Sequence, residues 1–292
     1  MKIGVSQMFG NSPYRGIDFL KDFAVITEEL GFHSLWAPEH IVFFRQYESD
    51  YPYKENGQTP WKKTPELFDP LLVCSVAASV TTTLKFGTTV LVVPERPALL
   101  IAKEVMTLDH ITKGRFELGV GLGWSKEEYE ALGAVWEKRG KRFDEYLDVI
   151  KLVWKEDIAS YSGEFVNFQD VVMGPKPLTV NGPPILIGGN SPAALKRAAR
   201  FDGWYGVWMG FDDLEPILEN LNNELLKVNR SLGDGFLNKL NLPVPAGISN
   251  QDIIYKVDEA RRLGVDEFVL ELPIRSRHLE EDLTEWSKVL EL

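Results

Sequence analysis

The sequence has little sulfur and little imidazole: one cysteine, Cys74, and four histidines in 292 residues. One cysteine cannot build an internal disulfide framework, and no Cys-x-x-Cys or His-x-His pair offers a metal its ligands. No Gly-x-Ser-x-Gly elbow is present, so a serine hydrolase has no nucleophile in place. Apolar runs stop short of the roughly 18 to 20 residues that cross a bilayer. Forty-three acidic against 32 basic residues leave a formal net charge of −11, which repels phosphate backbones and anionic lipid. Metal, nucleic-acid and membrane partners are therefore not expected. The expected location is the reducing cytoplasm, since Met1-Lys2-Ile3-Gly4 starts on an apolar strand with no charged leader.

What is present is a regular alternation. Strands are predicted at 2–8, 34–38, 84–93, 115–121, 184–187, 204–208, 242–246 and 267–272, from short apolar and β-branched runs. Helices are predicted at 17–30, 69–80, 97–111, 141–154, 192–201, 214–229, 250–263 and 279–290, from three- and four-residue apolar spacing. Asp69-Pro70 and Ser191-Pro192 open two of them, and Gly31 and Gly114 follow the ends of two others. Eight strand-helix pairs in strict alternation imply parallel strands with right-handed crossovers, and eight favours a closed (β/α)₈ TIM barrel with insertions over an open sheet. No linker divides residues 1–292, and a single barrel domain of about 250 residues or more is ordinary for this architecture. Three long stretches lie outside the minimal barrel: 42–68, 157–183 and 231–241. The first follows a strand and carries Tyr47, Tyr51, Tyr53 and Trp61, a candidate lid. The second reads as an ordered hairpin packed on the barrel.

Reacting groups of such barrels come from strand C-termini and the loops just after them. Strand two runs into Glu39-His40, strand three passes through Thr88-Thr89-Val90, strand four ends in Gly121-Leu122-Gly123-Trp124, and strand five in Gly188-Gly189-Asn190-Ser191. His40 is expected to be catalytic or to touch a cofactor, since a strand-end imidazole can act as general acid or base on a bound substrate or cofactor. The alternative is a strand-end histidine hydrogen-bonded to a neighbouring carboxylate, Glu39 being the one in view. His33, His110 and His278 are expected to be structural. Gly188 to Ser191 lies between strand and helix, a place suited to phosphate, although glycines also serve tight turns. Gly119-Val120-Gly121-Leu122-Gly123 lacks the spacing and acidic partner of a dinucleotide fingerprint. Trp36, Trp124, Trp204 and Trp208 are expected either to form a rim for a planar ring or to fill the core.

Five blocks in order carry a resemblance over nearly the whole chain. They are Gly31 to His40, Phe86 to Val90, Thr107 to Arg115, Gly119 to Trp124 and Pro184 to Ser191. Together they resemble the bacterial luciferase-like superfamily of flavin monooxygenases and deazaflavin-dependent oxidoreductases. The resemblance implies that Thr89-Val90 is the non-prolyl cis peptide pressed against the cofactor ring. It implies that His40 assists proton or hydride transfer, that Glu39 contacts the ring or orients His40, and that Gly188, Gly189, Asn190 and Ser191 hold the cofactor phosphate. Thr88, Gly121, Gly123 and Trp124 complete the implied cofactor site. The sugar-phosphate dehydrogenases of the superfamily place a glutamate where this chain has Trp124, so a larger, flatter or more apolar substrate is implied. Coenzyme F420-dependent hydride transfer to or from a small organic substrate is the reading that the Trp-Ala-Pro-Glu-His and Gly-Leu-Gly-Trp blocks favour. The alternative is an FMN-dependent monooxygenase fed by a flavin reductase and consuming oxygen. A flavin-binding relative without catalysis is a third reading. The superfamily's habit implies a homodimer.

Overall fold

The computed structural model describes every residue except 12, 55, 60, 62 and 208–213. Strands β1 (Lys2–Ser6), β2 (Ser34–Ala37), β3 (Lys85–Thr88), β4 (Leu91–Val92), β5 (Phe116–Gly121), β6 (Ala159–Ser162), β7 (Asn167–Val171), β8 (Ile185–Gly188), β9 (Gly203–Val207), β10 (Leu237–Pro243) and β11 (Glu267–Glu271) follow in chain order. Nine of them form one parallel sheet in the order β3-β2-β1-β11-β10-β9-β8-β5-β4, closed by pairing of β3 with β5. With β3 and β4 as two halves of one stave, this is a closed eight-stave barrel. Helices α1 (Ile17–Glu29), α2 (Pro70–Ser79), α3 (Ala98–Thr112), α4 (Lys126–Ala131), α5 (Arg139–Lys155), α6 (Pro192–Ala198), α7 (Leu214–Leu226), α8 (Asn250–Arg262) and α9 (Leu279–Val289) are the α-helices of the described residues. None of the described helices is long and apolar enough to cross a membrane.

Alternation along each strand decides what fills the barrel. At one level, Ser34, Glu117, Lys239 and Glu267 point inward. The Lys239 ammonium sits between the carboxylates of Glu117 and Glu267, 2.5 Å from Glu267 Oε2. Burial works against the charge on Lys239, but the two carboxylates outweigh it and raise its pKa. Ser34 Oγ donates to Glu267, and Trp36 Nε1 donates to Ser34 Oγ at 2.7 Å. One level up, Trp36, Leu186, Tyr205 and Val269 form an apolar plug, with the Trp36 and Tyr205 ring centroids 4.6 Å apart. The indole needs a glycine on the neighbouring strand: a Cβ on Gly87 would lie 2.2 Å from Trp36 Cζ3.

The alternating pattern predicted from sequence is borne out, with three local differences. The expected strand 84–93 breaks at Thr89-Val90 into β3 and β4. The expected loop 231–241 contains most of β10, because Asn238, Lys239 and Asn241 are buried strand residues rather than loop polars. Helix α4 falls where no element was expected. Trp36 and Trp204 lie fully buried, the core-filling alternative, and Trp208 lies outside the described residues. The hairpin β6–β7 is present and antiparallel, and Glu145 of α5 accepts from the amides of Glu164, Phe165 and Val166, pinning it to the barrel wall.

Replacing Lys239 by Met leaves two buried carboxylates without their cation. The expected loss is about 3–5 kcal/mol of unfolding free energy, read from urea denaturation at neutral pH; a loss under about 1 kcal/mol, the size of a surface pair, would contradict the bridging role.

Candidate functional site

The C-terminal ends of the staves converge on one mouth, and its floor is set between β3 and β4. The Thr89-Val90 peptide is cis, as the resemblance implied. The Val90 side chain turns inward onto the Trp36, Leu186, Tyr205 and Val269 plug. Glycines flank it on both sides: a Cβ on Gly121 would fall 2.5 Å from Val90 Cγ2, and one on Gly188 would fall 2.9 Å from Val90 Cγ1. Gly121 and Gly188 are therefore glycines because Val90 occupies their side-chain space. Thr88 is fully buried, with its hydroxyl donating to the Gly119 carbonyl at 2.6 Å, so no polar group of its side chain is left for the mouth. The Thr89 amide donates to the Ala37 carbonyl at 2.9 Å and ties the break to β2. The Tyr205 hydroxyl turns toward the Thr89 side chain without a well-formed hydrogen bond to it, and burial keeps this phenol neutral.

His40 follows β2 and is partly buried. Its Nδ1 lies 2.9 Å from Glu128 Oε2, while Glu128 Oε1 accepts from the amides of Ile41 at 2.7 Å and Val42 at 3.2 Å. A carboxylate at Nδ1 accepts its proton and leaves Nε2 as the ring's other functional atom. The partner is thus Glu128, not Glu39. Glu39 instead faces the opposite side: it accepts from the Val92 amide at 2.5 Å and pairs with Arg96, whose other nitrogen reaches Asp69 at 2.8 Å. Burial pushes Glu39 up against the pull of Arg96. It holds the β4 turn and does not touch His40. Glu128 went unnoticed in the sequence because α4 is short. The signal was Ser125-Lys126-Glu127-Glu128, a capping-box pattern; Ser125 Oγ does accept from the Glu128 amide at 3.1 Å. Beneath Gly123, burial together with Glu128 and Glu39 pushes Glu95 up to about 9.

The 42–68 segment does lie over this histidine. Phe43, Trp61 and Trp124 have ring centroids 4.9, 5.6 and 6.0 Å from that of His40. Tyr47 and Tyr51 pack on Trp124 at 4.9 and 5.3 Å, and Tyr53 packs on Tyr51. Trp124 comes from the turn after β5, where Gly123 takes a left-handed φ of 70°. Glu127 anchors the segment by accepting from the amides of Glu48 and Ser49. Burial opposes ionisation of Glu127, yet these hydrogen bonds prevail and hold its carboxyl down at about 2.

The β8–α6 turn is more self-contained than its sequence suggested. Ser191 Oγ caps α6 by accepting from the Ala194 amide at 3.3 Å, and Pro192 carries no amide hydrogen. Gly189, at φ 107°, turns its carbonyl to Trp204 Nε1 at 2.9 Å. Asn190 Nδ2 donates to the Val207 carbonyl at 3.0 Å, while its Oδ1 is buried with no partner among the described residues. His110 and His278 are engaged locally, with the Lys176 carbonyl and with Glu281.

A closed parallel barrel with polar and aromatic side chains gathered at the C-terminal mouth is the arrangement in which barrel enzymes carry their active sites. The chain belongs to the luciferase-like monooxygenase family, whose model matches residues 1–234, and it is an oxidoreductase of that family. It is 34% identical over 200 residues to an uncharacterised protein of Mycobacterium tuberculosis, covering 68% of this chain and 69% of the relative. It is 32% identical over 192 residues to an FMNH(2)-dependent dimethylsulfone monooxygenase of Pseudomonas putida, covering 65% of this chain and 48% of that protein. In structure it is similar to the coenzyme F420-dependent tetrahydromethanopterin reductase of Methanopyrus kandleri, with a TM-score of 0.74, 16% identity and 97% of each chain covered.

Gly121→Ala is expected to lose about 1–3 kcal/mol by overpacking against Val90, and Val90→Ala in the same chain to recover most of it, because the two sites share one space. Unfolding curves of the single and double variants check this; a Gly121→Ala protein as stable as the parent would contradict the placement of Val90.

Proposed function

We propose that the protein is a coenzyme F420-dependent oxidoreductase that moves a hydride between the deazaflavin and a small, predominantly apolar organic substrate. The observation that carries this reading is the His40–Glu128 pair beside the Val90 floor. Residues present fit a planar, hydrogen-bonding ring: Val90 offers an apolar surface that no Cβ from Gly121 or Gly188 covers, and buried Asn190 Oδ1 lacks a protein partner. The bound deazaflavin supplies the hydride chemistry, which no side chain provides. Glu128 fixes the imidazole by accepting its Nδ1 proton, so that Nε2 takes or gives a proton at the substrate. Gly189, Asn190 and Ser191 are assigned to the cofactor's phosphate-bearing tail, and Gly123 positions Trp124. Phe43, Tyr47, Tyr51, Trp61 and Trp124 form an apolar cover that excludes water from the mouth.

A second reading is favoured by the similarity to the FMNH(2)-dependent sulfone monooxygenase: an FMN-dependent monooxygenase that receives reduced flavin from a separate reductase. Oxygen separates the two. The proposal expects anaerobic turnover with F420 and no oxygen uptake, and His40→Ala is expected to lower kcat about 10²- to 10⁴-fold with cofactor affinity within a few-fold of the parent. Oxygen-dependent turnover with reduced FMN alone would overturn the F420 reading, and full activity in His40→Ala would remove the histidine's role.

A further inference from the structure

Strand β11 carries three inward-facing residues in alternation. Glu267 faces the buried Lys239, Val269 joins the Trp36 plug, and Glu271 is the next on that face. Two residues of strand rise place Glu271 about 7 Å further along, at the mouth. The other carboxylates near the mouth are engaged or enclosed: Glu39 by Arg96, Glu128 by His40 and two amides, Glu95 beneath Gly123. Among the described residues no donor or cation meets the Glu271 side chain. The titratable groups that feel its charge are Tyr51 from the covering segment and Tyr205 from β9. Glu267, on its own strand, is occupied by Lys239 and Ser34.

We propose that Glu271 is a second catalytic acid, which protonates the oxygen of an uncharged carbonyl substrate in the mouth. This rests on the hydride-transfer reading above. As a neutral acid, Glu271 gives its proton to the carbonyl oxygen while the carbon receives a hydride supplied by a reduced deazaflavin: the hydride pair becomes the new C–H bond, the C=O π pair moves onto oxygen and forms the new O–H bond, and the pair of the broken Glu271 O–H bond stays on the carboxylate. The product is an alcohol, Glu271 is left as a carboxylate, and solvent returns the proton. In the oxidising direction the carboxylate takes the hydroxyl proton. Burial, with no cation to offset it, raises the Glu271 pKa, which extends the neutral form above the ordinary glutamate range. A carboxyl raised in the folded state adds stability that is full below the ordinary 4.5 and lost as pH rises through the raised value.

The test compares the parent with Glu271→Gln, which keeps shape and loses the proton. The infrared spectrum of the parent is expected to show a protonated-carboxyl band that persists above the ordinary glutamate range and is missing in the variant, and the variant is expected to lose less stability as pH rises. If no such band distinguishes the parent, Glu271 is ionised and the proposal fails. With reduced F420 and cyclohexanone as probe, the variant is expected to lose about 10²- to 10⁴-fold in kcat for formation of the alcohol with KM and F420 fluorescence quenching little changed, and to lose the alkaline limb of the pH profile. Equal kcat and pH profiles in the two proteins would overturn the role of Glu271. A parent that binds F420 but leaves the ketone unreduced would overturn the carbonyl substrate class. A parent that binds no F420 would overturn the function proposed above, and the infrared band would still decide whether Glu271 carries a proton.

Discussion

The Lys239 ammonium between Glu117 and Glu267 is the constraint on which the rest of the barrel depends. It joins staves β5, β10 and β11, and through Ser34 and Trp36 it reaches β2. A buried charge set of this kind is tolerable only in one register, because a one-residue slip of a strand turns its side chains to the other face. The ion layer supports the Trp36–Tyr205 plug, and the plug supports Val90. Each level is made possible by a small residue on a neighbour: Gly87 for Trp36, Gly121 and Gly188 for Val90. The floor of the mouth is thus the top of a stack that begins with a salt bridge.

Most of this architecture was legible in the sequence where strands are apolar and helices periodic. Strands β8 and β9 read directly, because parallel strands buried on both faces are near-continuous apolar runs. Strand β10 did not, since Leu237-Asn-Lys-Leu-Asn-Leu-Pro243 looks polar until Glu117 and Glu267 are known to lie opposite Lys239. The glycines of Gly121 and Gly188 were legible as special positions, but their reason, the Val90 side chain, depends on a contact between distant strands. His40 was legible by type and position. Its partner was not, because Glu128 reaches it across 88 positions from a short helix. Glu39, adjacent in sequence, turns to Arg96 instead.

The electrostatics of the mouth narrow its chemistry. Among the described residues Glu39, Glu95, Glu128 and Glu271 gather there, and Arg96 is consumed by Glu39 and Asp69. Burial raises the pKa of Glu95, Tyr205 and Glu271 alike. An aromatic cover over carboxyls supports the uncharged substrate proposed above, since an anion would meet those carboxyls. His40 and Glu271 approach from β2 and β11, two staves that flank β1.

The central claim is that the mouth above Val90 is a preformed site for a deazaflavin ring. The most direct measurement is a pair of titrations of the purified protein with coenzyme F420 and with FMN, followed by quenching of each ring's fluorescence. The account predicts saturable quenching of F420 at lower concentration than FMN. Preferential binding of FMN would contradict the deazaflavin assignment, and binding of neither would contradict the ring site itself.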